Sequence, residues 1–470
     1  VDIRFGTDGW RGLIAEDFNF SNLEKVALAI SSHLKKKNDN PEVIIGYDTR
    51  FLAREFARRV AGVLNDQGIK VYLATGFHPT PAVALGILNL SADGGIMLTA
   101  SHNPPQYSGI KFIPGDAAPA LPEVTEDIEI ELEAINREKI GVMEGEKAVE
   151  RGLIKDWDGK AAYLKKLRET IDCDLLAANP SKVIVNPLFG AGQGYLEEIL
   201  KEVGWDVSTR ESGLDPYFGG SMPDPSKERL KKLSEEIKKG PAKLGLALDG
   251  DGDRFGIIDN DGTYLSPNQF LVLASFYFFY GREREGNIGR TVATTHLLDR
   301  IAGGKGRDLI ETPVGFKYIG NLLKKGKIFI GGEESGGLSI APHLPEKDGI
   351  LACLLACEMI SFYGQNLGEI LKTVNKKFGF LASRRYDINF SGKNREKVLK
   401  SLKELSPGNL DGEKVVERNT TDGVKFILDG GDWILLRASG TEPLIRLYVE
   451  SETKERIPKL AGIVRDILGI

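Results

Sequence analysis

The chain reads as an α/β protein: three similar mixed-sheet α/β domains and a C-terminal α+β domain, set around a central cleft. Three observations predict this. A strand–loop–helix–strand unit recurs three times. The pattern then gives way to paired strands and a final helix. The length of 470 residues, 41% of them apolar, supplies several cores.

The elements justify the reading in chain order. "PEVIIGYDTR" (41–50) is a β-branched run that ends in polar turn residues. "FLAREFARRVAGVLNDQG" (51–68) carries apolar residues at helical spacing and a glycine stop, and "IKVYLATG" is the next strand. The unit returns as "SKVIVNPLFGAGQG" (181–194), "YLEEILKEVG" and "WDVSTR", and again across "RTVATTHLLDRIAGGKGRDLIETPVG" (290–315). Strands alternating with helices argue for parallel α/β layers. The polar stretch "INREKIGVMEGEKAVERG" (135–152) reads as a connector. Further on, "DWILLRASGTEPLIRLYVES" (432–451) is two strands around a glycine turn, and "KERIPKLAGIVRDILG" is the closing helix. The expected domains are 1–145, 146–260, 261–372 and 373–470.

Composition narrows the partners. A net charge of −5, from 62 basic and 67 acidic residues, leaves no basic footprint for nucleic acid. Three cysteines without framework spacing suit a reducing compartment. Cys353 and Cys357, in "ILACLLACEMI", fit helix-core packing better than a metal pair. "VDIRFGTDGW" has no apolar leader segment, and the longest apolar run, "FLVLASFYFFY" (270–280), is shorter than the roughly 20 residues a spanning helix needs. The expectation is a cytoplasmic protein with no membrane partner; the sequence gives no oligomeric state.

Ligands of open α/β sheets bind beyond the carboxyl ends of strands, so the strand-end loops carry the chemical reading. In "LGLALDGDGDRFGIID" (244–259), Asp249, Asp251 and Asp253 alternate with glycines after an apolar strand. At i, i+2 and i+4 of an extended chain their carboxylates share one face. A hard cation such as Mg²⁺ or Ca²⁺ would relieve their repulsion. The stretch is no EF-hand, because its sixth position is Arg254 and its twelfth Asn260. An acidic turn is the plain alternative. Arg254 could pair with an anionic ligand beside the cation.

"TASHNPP" (99–105) runs from an apolar strand into a rigid proline turn. It is either an ordinary strand end or a nucleophile on a stiff loop. Ser101 lacks a G-x-S-x-G elbow, which argues against hydrolase chemistry, but a serine can carry a phosphoryl group beside a metal. "RASGTEPLIR" (437–446) offers the fork of Arg437, two hydroxyls and backbone N–H groups, the inventory of a phosphate cradle or of a simple hairpin turn. "IFIGGEESGGLS" (328–339) places two carboxylates and a serine after a strand, suited to sugar hydroxyls or to an acidic turn.

Together these motifs resemble the α-D-phosphohexomutases, the family of phosphoglucomutase and phosphomannomutase. The matching stretches are the phosphoserine loop "TASHNP" (99–104), the metal loop "DGDGDR" (249–254), the sugar loop "GEES" (332–335) and the phosphate loop "RASGT" (437–441), in the family's order. The resemblance implies a reversible phosphoryl shift between hexose 1-phosphate and hexose 6-phosphate. Phospho-Ser101 would donate to the sugar, and a bisphosphorylated intermediate would turn around and return its other phosphate. It implies Mg²⁺ on Asp249, Asp251, Asp253 and the Ser101 phosphate, with a hexose 1,6-bisphosphate as activator. Gly332, Glu333 and Ser335 would hold sugar hydroxyls, and Arg437, Ser439, Gly440 and Thr441 the non-reacting phosphate. The last domain would act as a lid.

The resemblance also places Lys111, in "SGIKF", and Lys317, in "TPVGFKYIG", as candidate acid–base groups. Arg11, in "GTDGWRG", matches an N-terminal active-site arginine, and Arg254 and His102 join the catalytic set, His102 with loop shaping as its other reading. His33 and His78 read as structural; His296 and His343 are expected to line the cleft. Glu334 in the sugar loop is similar to glucose-preferring members, so phosphoglucomutase is the expected activity. Phosphomannomutase or dual activity, phosphoglucosamine mutase and a metal-dependent phosphatase are the alternatives. A non-catalytic sugar-phosphate binder would require these loops to be vestigial.

Overall fold

The computed structural model describes residues 3–6, 9–135, 154–389, 402, 404–438 and 444–468. The first sheet contains β1 (Trp10–Leu13), β2 (Glu42–Tyr47), β3 (Lys70–Ala74), β4 (Gly94–Leu98), β5 (Tyr107–Pro114) and β6 (Ile154–Trp157), in the order β1-β5-β4-β2-β3-β6. β4 lies parallel to β2 and antiparallel to β5. Every residue of β4 is buried, as expected of a central strand covered on both faces. The helix Ala53–Asp66 turns Phe56, Ala57, Val60 and Leu64 inward and leaves Arg54, Glu55 and Arg58 in solvent.

The second sheet contains β7 (Lys182–Asn186), β8 (Asp206–Thr209), β9 (Leu244–Leu248), β10 (Phe255–Asp259) and β11 (Tyr264–Leu265), ordered β11-β10-β9-β7-β8. The third contains β12 (Ile288–Thr291), β13 (Leu309–Thr312), β14 (Ile330–Gly332) and β15 (Leu338–Ile340), ordered β13-β12-β14-β15. The fourth is antiparallel: β16 (Ala382–Asn389), β17 (Asn409–Leu410), β18 (Glu413–Asn419), β19 (Val424–Leu428), β20 (Trp433–Ala438) and β21 (Leu444–Ser451), ordered β16-β21-β20-β19-β18-β17, with the helix Arg456–Leu468 against β21. These are three mixed α/β sheets and an α+β unit, the predicted class.

Two elements sit differently from the expected domain limits. β6, expected in the second unit, pairs in parallel with β3 and closes the edge of the first sheet. Its residues Ile154 and Trp157 pack on the first core, which outweighs sequence order. The helix Leu367–Phe378 crosses the expected 372/373 limit, and its buried Leu367, Ile370 and Val374 belong to the core of the second and third units. The connector at 135–152 lies, apart from Ile135, outside the described residues.

The helix Gly349–Tyr363 explains that shared core. It is apolar all round, Asp348 caps its start by accepting from the Leu351 N–H at 2.9 Å, and it packs on β9, β10 and β15. Cys353 and Cys357 are buried on it. Among the described residues no single helix is long and apolar enough to cross a membrane; this one meets Leu367–Phe378 at a bend of 76°.

Candidate active site

Two strand-end loops meet at the boundary of the first and second sheets. After β4 the chain enters a turn, with Ser101 buried at a left-handed φ of 51°. The Ser101 N–H donates to Thr99 Oγ1 at 2.8 Å, and Ser101 Oγ donates to Asp249 Oδ2 at 2.7 Å. The second loop follows β9. A Cβ at residue 250 would lie 2.5 Å from the Ser101 carbonyl oxygen, so only glycine lets the loops touch.

The aspartates converge, but not by sharing the face of an extended strand. Residues 250–254 form a turn in which the Gly252 N–H donates to the Asp249 carbonyl at 3.1 Å. Gly252 takes a φ of +71°. One carboxylate oxygen from each of Asp249, Asp251 and Asp253 lies within 4.8 Å of the others, and none of the three residues is exposed. The turn brings together what the alternating spacing suggested.

Three like charges without solvent need compensation. Lys111, on β5, reaches Asp251 Oδ2 at 2.6 Å and Asp253 Oδ2 at 2.8 Å. Lys347 adds a second ammonium 3.2 Å from Asp253 Oδ2, and Thr80 Oγ1 donates to Asp251 Oδ2 at 2.6 Å. Burial opposes the charge on Asp251, yet Lys111, Thr80 and Lys347 hold its carboxyl below the usual carboxylate range. Asp249 is pushed the other way, well upward, by burial and by Asp253 and Asp251. The buried Oδ1 atoms of Asp251 and Asp253 have no hydrogen-bond partner. An electron-rich, all-oxygen cluster with two unmatched acceptors fits a hard divalent cation.

His102, Arg11 and Arg254 join the floor. His102 Nδ1 lies 3.4 Å from Ser101 Oγ, and burial, then Arg254 and Arg11, hold its imidazole well below its usual pKa. Arg11 Nη1 donates to Asn103 Oδ1 at 2.5 Å. Gly332, Glu333 and Ser335 form the adjoining wall. Gly332 ends β14, Ser335 Oγ donates to Glu333 Oε1 at 2.7 Å, and a Cβ at Gly336 would lie 3.7 Å from Arg254 Cβ. Burial and the neighbouring Glu334 push the Glu333 carboxyl up to about 7. Arg437 lies on β20, where its Nε donates to Asp422 Oδ2 at 2.7 Å. Ser439, Gly440 and Thr441 lie outside the described residues. Lys317 stands in the first turn of the helix Phe316–Lys324, its ammonium 5.7 Å from the Tyr318 ring centre.

The two histidines expected to line the cleft, His296 and His343, both have partners within the fold. His343 is buried, with Nε2 2.7 Å from Asp348 Oδ2, which also accepts from the Tyr163 hydroxyl at 2.7 Å. His296 is packed against Trp433, with Nε2 2.7 Å from Lys425 Nζ. Lys347 was not among the candidate site residues. Its signal is the stretch "EKDG", where Asp348 caps a helix and Gly349 lets the chain press on Arg254: a Cβ there would lie 2.3 Å from the Arg254 carbonyl oxygen.

Comparison with known proteins matches this architecture along the chain. Models of the phosphoglucomutase/phosphomannomutase α/β/α domains I, II and III match residues 2–139, 161–262 and 266–378, and the model of that family's C-terminal domain matches 388–467. A phosphoglucomutase/phosphomannomutase of Thermococcus kodakarensis is 31% identical over 457 residues, covering 96% of this chain and 95% of the relative. A Pyrococcus abyssi protein named "probable phosphoglucosamine mutase" is 32% identical over 461 residues, covering 97% and 95%. The crystal structure of a candidate phosphomannomutase from Thermus thermophilus superposes with a TM-score of 0.87, at 34% identity and over 100% of both chains. Loops, fold and relatives agree, and the chain belongs to the α-D-phosphohexomutase superfamily, as an isomerase (an intramolecular phosphotransferase) of the phosphoglucomutase/phosphomannomutase family.

Proposed function

We propose that this chain interconverts hexose 1-phosphate and hexose 6-phosphate through phospho-Ser101 and a hexose 1,6-bisphosphate, with glucose phosphates as its preferred substrates. The observation that carries the reading is Ser101 Oγ lying 2.7 Å from Asp249 Oδ2 in a buried triple-aspartate cluster. The glucose preference rests on Glu334 in the sugar loop. Relatives named for glucose, mannose and glucosamine phosphates make it the part to test first.

In the forward half-reaction the Oγ–P bond of phospho-Ser101 breaks and a bond from phosphorus to a sugar hydroxyl oxygen forms. The hydroxyl gives up one proton and Ser101 Oγ gains one, so a single group can relay it; we assign this to Lys111, whose ammonium lies among the aspartates. A Mg²⁺ ion on Asp249, Asp251, Asp253 and the Ser101 phosphate would polarise the transferring oxygens. Arg11, Arg254 and His102 border the transfer site, and Arg254 faces the sugar loop. Glu333 and Ser335 accept and donate to sugar hydroxyls whichever phosphate faces Ser101. Arg437, with Ser439, Gly440 and Thr441, holds the other phosphate. Positioning and charge neutralisation are what phosphoryl transfer asks of a protein.

The test is a coupled assay of glucose 1-phosphate conversion with glucose 1,6-bisphosphate present, free phosphate followed in parallel, and rates compared with mannose and glucosamine phosphates. Isomerisation without phosphate release, fastest on glucose, is expected. Phosphate release without isomerisation would replace the mutase reading with a phosphatase.

A further inference from the structure

Arg50 ends the "YDTR" turn after β2, and its side chain has no exposed surface. Nη2 donates to the carbonyl oxygens of Ser101 and Asn103, both at 2.7 Å. Nη1 donates to those of Pro104 and Tyr107, both at 2.9 Å. Nε lies 3.2 Å from Asp48 Oδ2, and the Phe218 ring covers the guanidinium at 4.9 Å. One planar fork therefore serves four carbonyls of the Ser101 loop. These groups would otherwise need water or regular structure to satisfy them.

The N–H side of Ser101 ends at the same place. It donates to Thr99 Oγ1, which donates in turn to Asp48 Oδ2 at 2.6 Å, while Asp48 Oδ1 accepts the Arg50 N–H at 2.9 Å. Both backbone polar groups of Ser101 thus lead to the Asp48–Arg50 pair. A left-handed serine persists only where its surroundings over-determine it, and this network does so. The same turn grips the second unit: Thr49 Oγ1 donates to the Phe189 carbonyl at 2.8 Å. Phe218 also belongs to that unit, which carries the aspartates.

We propose that Arg50 is the positioning residue of the Ser101 loop, fixing its backbone so that Oγ keeps its place against Asp249 with or without a phosphoryl group. Phosphorylation turns a neutral hydroxyl into a group of about −1.5 to −2 charge beside buried carboxylates. A loop held only by turn hydrogen bonds would yield to that change. A lysine cannot replace the arginine, because a compact ammonium with three donors does not reach four carbonyls in one plane. The inference rests on the proposed role of Ser101.

The test compares full-length Arg50→Lys and Ser101→Ala with wild type, normalising the turnover of Arg50→Lys and wild type to phosphoserine content and following amide exchange over residues 99–108. Arg50→Lys is expected to lose on the order of 10²-fold in kcat, as misplacement by about an ångström does, with KM within about threefold and faster exchange in the loop. Wild-type kcat per phosphoserine, or a loss carried by KM, would overturn the inference. Should Arg50→Lys fail to fold, Thr99→Val removes both the N–H support of Ser101 and its link to Asp48, and is expected to lose roughly tenfold in kcat at unchanged KM; wild-type kcat there would overturn it equally. Turnover retained in Ser101→Ala would sink the phosphoserine reading itself. An inactive Ser101→Ala beside a fully active Arg50→Lys would sink only the role of Arg50.

Discussion

The second and third units and the C-terminal unit are attached to the molecule in opposite ways. The former share one apolar core that also takes in Ala82 and Leu85 of the first unit. The C-terminal unit has a core of its own and meets the third through a small cluster of Val292, Ala293, Trp433, Leu435 and Tyr448. Around that cluster the contacts are polar: Glu450 Oε1 accepts from the His296 N–H and from Trp433 Nε1, both at 2.8 Å. Three buried carboxylates demand a rigid frame, because a small shift would strand unpaired charge. A unit proposed to bind only the remote phosphate can have its own core and a modest interface, the construction a lid requires.

The largest expected effect lies in the frame. Chelating divalent metal should cut turnover by at least about 10²–10³-fold, the loss typical of removing a preorganised electrostatic group, and adding Mg²⁺ should restore it. Undiminished turnover in chelator would break the reading of the aspartate cluster. Next comes Leu354→Ala, on the helix common to the second and third units. It should cost about 2–5 kcal/mol and shift one calorimetric transition for both units. Two transitions, only one of them moved, would mean that the shared core is not one cooperative body.

The sequence made one half of this contrast legible. Alternating Asp-Gly after an apolar run marks the cation cluster, and "ILACLLACEMI" marks a helix buried on all sides, because both signals are local. The contacts of Lys347 and Arg50 were not legible. "EKDG" and "YDTR" look like polar turns, and only packing shows that one ammonium ends 3.2 Å from Asp253 and one guanidinium under four carbonyls. β6 was misplaced for the same reason: a four-residue strand does not announce which sheet edge it will close. His296 and His343 were expected to line the cleft; the partner of His296, Lys425, lies far along the chain, and that of His343, Asp348, is close in sequence but serves as a helix cap.

At the interface of the C-terminal unit, Lys425 gives a pH test of smaller size. Burial, then Arg290, lowers its ammonium to about 8, although Glu311 and Glu450 pull the other way. An unfolded lysine keeps its proton to about 10.4. Between these values the unfolded chain binds more protons than the folded one, so the lysine's contribution to stability rises with pH across that window and is flat below it. Urea unfolding of wild type relative to Lys425→Met should show a gain of at most about 3 kcal/mol from pH 8 to 10.5. An unchanged difference would place the charge of Lys425 in solvent rather than in the interface.

The smallest effect probes a direct contact between the sugar loop and the C-terminal sheet. The Tyr448 hydroxyl, on β21, donates to Glu334 Oε1 at 3.1 Å. Tyr448→Phe keeps the ring in the apolar cluster and removes only this bond, worth about 0.5–1.5 kcal/mol. If closure of the C-terminal unit on the sugar loop contributes to substrate affinity, KM for glucose 1-phosphate should rise by about two- to tenfold with kcat little changed. A kcat loss without a KM change would mean that the contact acts in the transfer step, and that the frame and the C-terminal unit are less separate than their cores imply.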